Sequence, residues 1–388
     1  MSGDYSPLVS YATLSPLPRP IRKVGAPLAA IIACGTVAAL ILILLTAVNP
    51  VGTTIGFGLS TLAMVVVLLC YLWLDRWEPE PPRLLIFAFL WGASVAIVVS
   101  VVLELLVESV VNSGHSETSF FTVAVAAPVI EEAAKGLFLL LMLTGVRRNE
   151  LNSLTDCLVY AGVTAVGFAW IEDIFYIANS ETLASSLVTA AMRLIMAPFA
   201  HPLFTTFTGI GVYFALQQRH TWGKVGCIAL GFVGAVVMHA LWNGSALVSP
   251  GAYFGLYLVW MMPVFFLAIV LAVRSRKREQ AVVAQKLPGM VAAGLVTPAE
   301  TAWLGSIKAR KQVVSAARGF GGKPAASGVK NFAHQVIELA FVRDRIDRGF
   351  GDPRVFALQQ QEVDGVVAAR AAAGPALHWL NGYQLPRP

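Results

Sequence analysis

The sequence predicts an all-α polytopic membrane protein of about eight transmembrane helices, with a helical cytoplasmic C-terminal appendage. Three observations predict it. Apolar residue types make up 57% of the 388 residues and charged types only 13%, about half the usual charged share. The mean hydropathy is +0.70, as expected of a chain whose solvent is largely lipid. The apolar residues also gather into stretches that cross a hydrocarbon core as helices, at about 1.5 Å per residue. Together these exclude a disordered chain, a disulfide scaffold and an ordinary cytosolic enzyme. Cys34, Cys70, Cys157 and Cys227 all sit inside apolar runs without C-x-x-C spacing, and read as buried filler.

The stretches lie near 26–48, 52–74, 84–107, 120–145, 153–178, 199–217, 223–247 and 251–273. The first has an apolar run about twice that of a signal-peptide core and lacks a small-x-small cleavage site, so it reads as a retained span. The sixth is interrupted by Arg193, Pro198 and Pro202. An interfacial helix over 182–196, a break, and then a true span is the expected arrangement. Basic residues alternate between loops. Arg19, Arg22 and Lys23 precede the first span, and Arg76 with Arg83, Arg147 with Arg148, and Arg219 with Lys224 occupy every second loop. Arg274, Arg276, Lys277 and Arg278 follow the last span, and among the other loops only Arg193 breaks the pattern. The positive-inside rule therefore places both termini of this multi-pass cell-membrane protein in the cytoplasm.

Three regions follow: a cytoplasmic segment 1–25, a membrane core 26–273, and a basic, mostly helical tail 274–388. The tail carries 17 Lys and Arg against 8 Asp and Glu, a charge suited to anionic lipid at the bilayer surface, and no nucleic-acid partner is expected. Thr297-Pro298-Ala299-Glu300 reads as a capping box with proline at the first helical position. A second helix is expected over 331–348, beyond the Gly-rich stretch 319–328, and a loosely ordered remainder ends at Leu385-Pro386-Arg387-Pro388. The tail reads as a helical appendage without a chemical motif of its own.

Ionisable groups inside the apolar stretches need a reason, because each costs at least about 2.5 kcal/mol at the bilayer centre. The fourth stretch carries Glu131, Glu132 and Lys135. Glu131 and Lys135, four apart, share a helix face and can neutralise one another, which leaves Glu132 turned about 100° away. The fifth carries Glu172 and Asp173, the sixth begins at Phe199-Ala200-His201-Pro202, and the seventh ends with His239 and Asn243 on one face. Counted from the outer helix ends, Glu131 lies roughly 16 Å in, His239 about 12 Å and Glu172 about 9 Å. Overlapping depth on four helices implies a water-filled pocket opening away from the cytoplasm. Glu104, Glu108, Asp156 and Arg193 read instead as helix-end or interfacial groups. Paired carboxylates in low dielectric can supply a base near neutral pH, and a histidine with an asparagine one turn on can stabilise an oxyanion. Two histidines with Glu172 also form a zinc ligand set, though no H-E-x-x-H is present. A proton or ion relay in a transporter or channel is the alternative use of the same groups. It would favour two similar halves, which the chain lacks.

In order, these residues resemble the PrsW family of intramembrane proteases, with a more distant similarity to CAAX prenyl proteases and bacteriocin-processing membrane proteases. The resemblance covers roughly residues 60–275. It rests on Asp75-Arg76-Trp77-Glu78-Pro79-Glu80-Pro81-Pro82, on Glu131, Glu132 and Lys135, on Gly167-Phe168-Ala169 leading to Glu172, and on His201, His239 and Asn243. It implies an endopeptidase, of glutamic or metal-dependent type, cleaving membrane-anchored substrates such as anti-sigma factors near the extracytoplasmic face. The expected roles are a Glu131/Glu132 base, Lys135 as its electrostatic partner, Glu172, His201 and His239 binding water, oxyanion or zinc, and Asn243 in support. No cofactor is assigned. An asparagine rather than an acid one turn beyond His239 favours a metal-free route, with zinc on Glu172, His201 and His239 the other. Asp173 stands where the family commonly has asparagine, so it must be protonated or paired.

Overall fold

A computed structural model describes residues 26–111, 119–351 and 353–383. The segment 1–25, with its three basic residues, and the closing Leu385-Pro386-Arg387-Pro388 lie outside the described residues. Every regular element among the described residues is helical. The first helices are α1 (Ala26–Val48), α2 (Pro50–Leu74), α3 (Pro82–Val111) and α4 over 120–142. Then come α5 (Leu154–Ala178), α6 over 183–196, α7 (Ala200–Leu216), α8 (Thr221–Val248) and α9 (Pro250–Ala292). The chain closes with α10 (Pro298–Leu304), α11 (Ile307–Arg345) and α12 (Pro353–Leu380).

The protein is an all-α polytopic membrane protein. Seven helices among the described residues are long and apolar enough to cross a membrane. The eighth expected span, α4, is long enough but carries three ionisable residues, Glu131, Glu132 and Lys135. Side chains such as Leu44, Leu230 and Leu267 stand 66%, 76% and 67% exposed, a surface suited to lipid rather than water. The sixth stretch breaks as expected: α6 stops at Met196, Ala197 leaves helical geometry, and α7 starts at Ala200.

α5 is apolar and buried on nearly every side, packed against α2, α3 and α7. Its start is fixed by a capping box between Ser153 and Asp156. At the other end Asn49 caps α2 and donates from Nδ2 to the carbonyl of Ala178 at 2.7 Å. Glycine lets α3 approach. A Cβ on Gly92 would lie 1.9 Å from the Thr164 carbonyl oxygen, and one on Gly167 would lie 2.1 Å from that of Phe89. Small residues at such crossings let helix backbones close up in lipid. Wide π-helical turns interrupt α4 at Thr122–Ala126 and α9 at Tyr257–Met261. Each lies just before a proline, Pro128 or Pro263, whose missing N–H frees the preceding carbonyls.

The tail differs from expectation in one way. Residues 353–380, expected to be loose, form the long helix α12, packed along α11. Val283, Leu287 and Met290, in the tail part of α9, share one apolar core with Leu304, Phe332 and Val336, and Trp77 from the α2–α3 loop is buried in it. The capping box at Thr297 and Glu300 forms as expected. The Gly-rich stretch is a kink inside α11, where Gly322 takes φ +69°, a value that favours glycine.

Candidate active site

Four helices bring the buried ionisable groups together: α4 with Glu131, Glu132 and Lys135, α5 with Glu172 and Asp173, α7 with His201, and α8 with His239. All lie toward the end of the bundle opposite the C-terminal helices. Lys135 is fully buried and its Nζ lies 2.7 Å from Glu132 Oε1 and 3.2 Å from Glu131 Oε2. The lysine therefore bridges both carboxylates rather than pairing with Glu131 alone. It also sits over the Phe168 ring at 4.2 Å, a face that favours a cation.

Each histidine is held by a carboxylate of its own. His239 Nδ1 donates to Glu132 Oε1 at 3.1 Å, and His201 Nε2 donates to Glu172 Oε2 at 2.6 Å. Such bonds fix the tautomer and leave the opposite ring nitrogen as an acceptor. Those two nitrogens converge on one oxygen: His239 Nε2 and His201 Nδ1 lie 3.9 and 3.8 Å from Glu131 Oε2. Phe204 stacks on the His239 ring at 4.8 Å and fixes its plane. Thr205 donates to Glu132 Oε2 at 2.8 Å, so Glu132 is bonded through both oxygens and wholly buried.

Glu131 is placed differently. Together with Glu172 it lines a cavity of about 480 Å³, whose wall also includes Ser100, Glu104, Thr122 and Asn243. The carboxylate turned toward open space is thus Glu131, where the helical spacing had left Glu132 free. Asn243 lines the cavity but donates to the Val123 carbonyl at 3.1 Å, away from the histidines.

Three residues at the site escaped the sequence reading. Arg193, read as interfacial, pairs with both Glu172 and Asp173. Asp173, the departure from the family pattern, is therefore paired with a cation. The signal was present, since Arg193 is the residue that breaks the loop-charge alternation. Thr205 left no signal, because a threonine in an apolar helix is ordinary. Glu104, read as a helix-end group, lies on the cavity wall.

The donor set can be tested against a metal ion. Glu131, His201 and His239 each offer a ligand atom, all within 4.8 Å of one another. A carboxylate behind each histidine is the usual support of a metal-ligating imidazole. Two histidines and one carboxylate suit zinc. Glu131 thus takes the place that the sequence reading gave to Glu172, which instead supports His201. Lys135 Nζ lies 3.1 Å from His201 Nδ1, so a metal would take that acceptor from the ammonium.

The acidic loop after α2 is not part of this site. Asp75 accepts the Glu80 backbone N–H, Glu80 accepts the Tyr160 hydroxyl at 2.5 Å, and Glu78 accepts Asn152 Nδ2 at 2.8 Å. Tyr160 and Glu172 are twelve residues apart on α5, roughly 18 Å along its axis. Burial among like charges pushes the Asp75 carboxyl up to about 8, and Glu78 and Glu80 well above the usual range. On the tail side, Glu338 is pushed to about 8 by burial and neighbouring acids. The loop ties the start of α5 to the tail.

Residues 80–268 match the family model described as PrsW family intramembrane metalloprotease. The chain is 30% identical to a protein called Protease PrsW from Clostridioides difficile over 154 residues, 39% of this chain and 63% of that relative. It is 25% identical over 183 residues to the Protease PrsW of Oceanobacillus iheyensis, 47% of this chain and 79% of the relative. For that of Geobacillus kaustophilus the values are 24% over 202 residues, 50% and 82%. The match thus spans less than two thirds of the Clostridioides relative. No solved structure matches this chain.

Proposed function

We propose that this chain, whose residues 80–268 match the PrsW family model, is an intramembrane endopeptidase hydrolysing peptide bonds of membrane-anchored proteins. One observation carries the reading. Two histidines, each fixed by its own carboxylate, turn their remaining nitrogens on Glu131 at the wall of a cavity. Hydrolysis needs a proton acceptor beside a water and fixed groups where charge develops. Glu131 is the acceptor, with the Lys135 ammonium 3.2 Å from its Oε2. Glu132 and Thr205 orient His239; Glu172, anchored by Arg193, orients His201. Glu131, His201 and His239 would also hold a zinc ion, which when bound supplies a water deprotonated near neutral pH.

The alternating basic loops support cytoplasmic termini, and the site lies at the end of the bundle away from the tail. Substrates are then cut near the extracytoplasmic face, as for an anchored anti-sigma factor. The test is purified enzyme with single-span substrates. Glu131→Gln is expected to abolish cleavage while leaving membrane insertion and helical content close to those of the parent. Near-parental cleavage by Glu131→Gln would sink the reading. Elemental analysis of the active enzyme sorts the two routes. Stoichiometric zinc, lost with activity on chelation and restored on re-addition, assigns Glu131 as ligand; active metal-free enzyme assigns it as base.

A further inference from the structure

A second cavity, of about 530 Å³, lies on the lipid-facing side between α2 and α9. Val66, Leu69 and Trp73 form one wall, and Phe265, Ile269 and Val273 the other. From Phe265 to Val273 the groove runs roughly 12 Å along α9, and its lining is almost wholly apolar. Its tail-side end is different. Arg276, three residues beyond Val273, lies over the Trp73 ring at 3.9 Å, and its Nε is buried without an acceptor. Arg76 stands close enough for its positive field to act on Arg276. Glu279 is the nearby carboxylate, but it accepts from Ser153 Oγ at 3.0 Å. One turn past Trp73, Arg310 lies over Trp77 at 4.8 Å, with Nε and Nη2 likewise buried and lacking acceptors.

We propose that this groove holds an anionic phospholipid, with an acyl chain between α2 and α9 and the phosphate on Arg276 and Arg76. A buried guanidinium N–H without an acceptor costs free energy, and Arg276 within electrostatic reach of Arg76 leaves a place for an anion. Phosphate oxygens meet both demands, since they accept from guanidinium in a fork. Trp73, at the tail-side end of the groove, suits the headgroup level, where aromatic rings collect. An apolar slot ending at Arg276, whose Nε lacks an acceptor, on the side of the basic tail, matches a lipid of that leaflet in both halves.

The test uses the full chain purified in neutral detergent, without substrate. Phosphatidylglycerol or phosphatidylcholine with identical acyl chains is added, and retained lipid is counted by native mass spectrometry beside the thermal midpoint. One phosphatidylglycerol is expected to be retained and to raise the midpoint, with phosphatidylcholine doing neither. Arg276→Gln is expected to weaken retention on the order of tenfold, about one charge-assisted hydrogen bond. Arg276→Lys is expected to keep part of it. Ala272→Phe, which fills the slot and leaves the arginines in place, is expected to remove retention as well. Equal retention of both lipids, or full retention by Arg276→Gln, overturns the proposal. So does the same midpoint shift from inorganic phosphate alone. Displacement of the lipid by an uncharged transmembrane peptide would make the groove a peptide site and overturn it too.

Discussion

Arg193 offers the sharpest perturbation of the site, because it is the cation shared by Glu172 and Asp173. The side chains of Arg193, Glu172 and Asp173 are 23%, 13% and 13% exposed. Removing one partner of a buried pair costs about 3–5 kcal/mol, largely through the charge left behind. The partial exposure of the guanidinium screens some of this, which leaves roughly 2–4 kcal/mol for Arg193→Gln. Two orphaned carboxylates then face each other, although His201 still donates to Glu172. Asp173→Asn removes the carboxylate that has no second partner, so alone it is expected to cost under about 1 kcal/mol. The double variant Arg193→Gln/Asp173→Asn is expected to recover about 1–2 kcal/mol of the single loss, a coupling typical of groups in contact. Unfolding by SDS in mixed micelles, followed by tryptophan fluorescence, measures all three variants. A cost below about 0.5 kcal/mol for Arg193→Gln, or no recovery in the double variant, refutes a shared buried cation and returns Arg193 to the interface.

Two further predictions concern the frame around the site. The raised carboxyls at the tail-side junction make stability pH-dependent: Asp75 and Glu338 titrate near 8 in the folded protein. Stability from a raised carboxyl is fully present below its ordinary value and lost as pH rises through the folded one. Stability is therefore expected to fall between pH 6 and pH 9, by about 3 kcal/mol at most for Asp75 alone, with a matching drop in the thermal midpoint that Asp75→Asn should flatten. A midpoint that rises over the same range contradicts the burial of these acids. At the α3–α5 crossing, Gly92→Ala places a methyl 1.9 Å from the Thr164 carbonyl oxygen and is expected to cost at least about 1–3 kcal/mol. Gly58→Ala, which meets nothing within 4 Å, is the neutral control, and equal effects from the two would remove the crossing from the account.

The fold was legible because lipid permits few alternatives: apolar runs of sufficient length must be helices, and the break before Pro198 and Pro202 follows from proline chemistry. The site residues were legible for the opposite reason, since charge in an apolar run is expensive enough to stand out. What spacing along one helix could not supply was direction across helices. Glu131 and Glu132 differ by about 100° around α4, and only the positions of α5, α7 and α8 decide which one faces the cavity. The pairing of Arg193 was hidden similarly, because its partners lie on another element. α12 was missed for a different reason. Its helix packs chiefly along α11, and much of its buried surface is alanine and glycine, such as Gly365, Ala369 and Ala373, which give weak hydrophobic periodicity.

Two helices join the site to the tail. α5 carries Asp156 near its tail-side end and Glu172 toward the other, and it is enclosed by neighbours through glycine crossings too tight for a side chain. A packed helix of this kind transmits a displacement as a rigid body rather than bending locally. α9 makes the second link: Tyr257 donates to the Met196 carbonyl at 2.9 Å, three residues beyond Arg193, while Leu287 and Met290 lie in the tail core. The tail core is thus continuous with both elements that frame Glu172, α5 through the acidic loop and the Arg193 segment through α9. The acidic loop sits at that junction, with Trp77 in the tail core and Glu80 on Tyr160 of α5. The loop motif and the buried Glu–His cluster, distant from one another in space, thus share α5 as a common element.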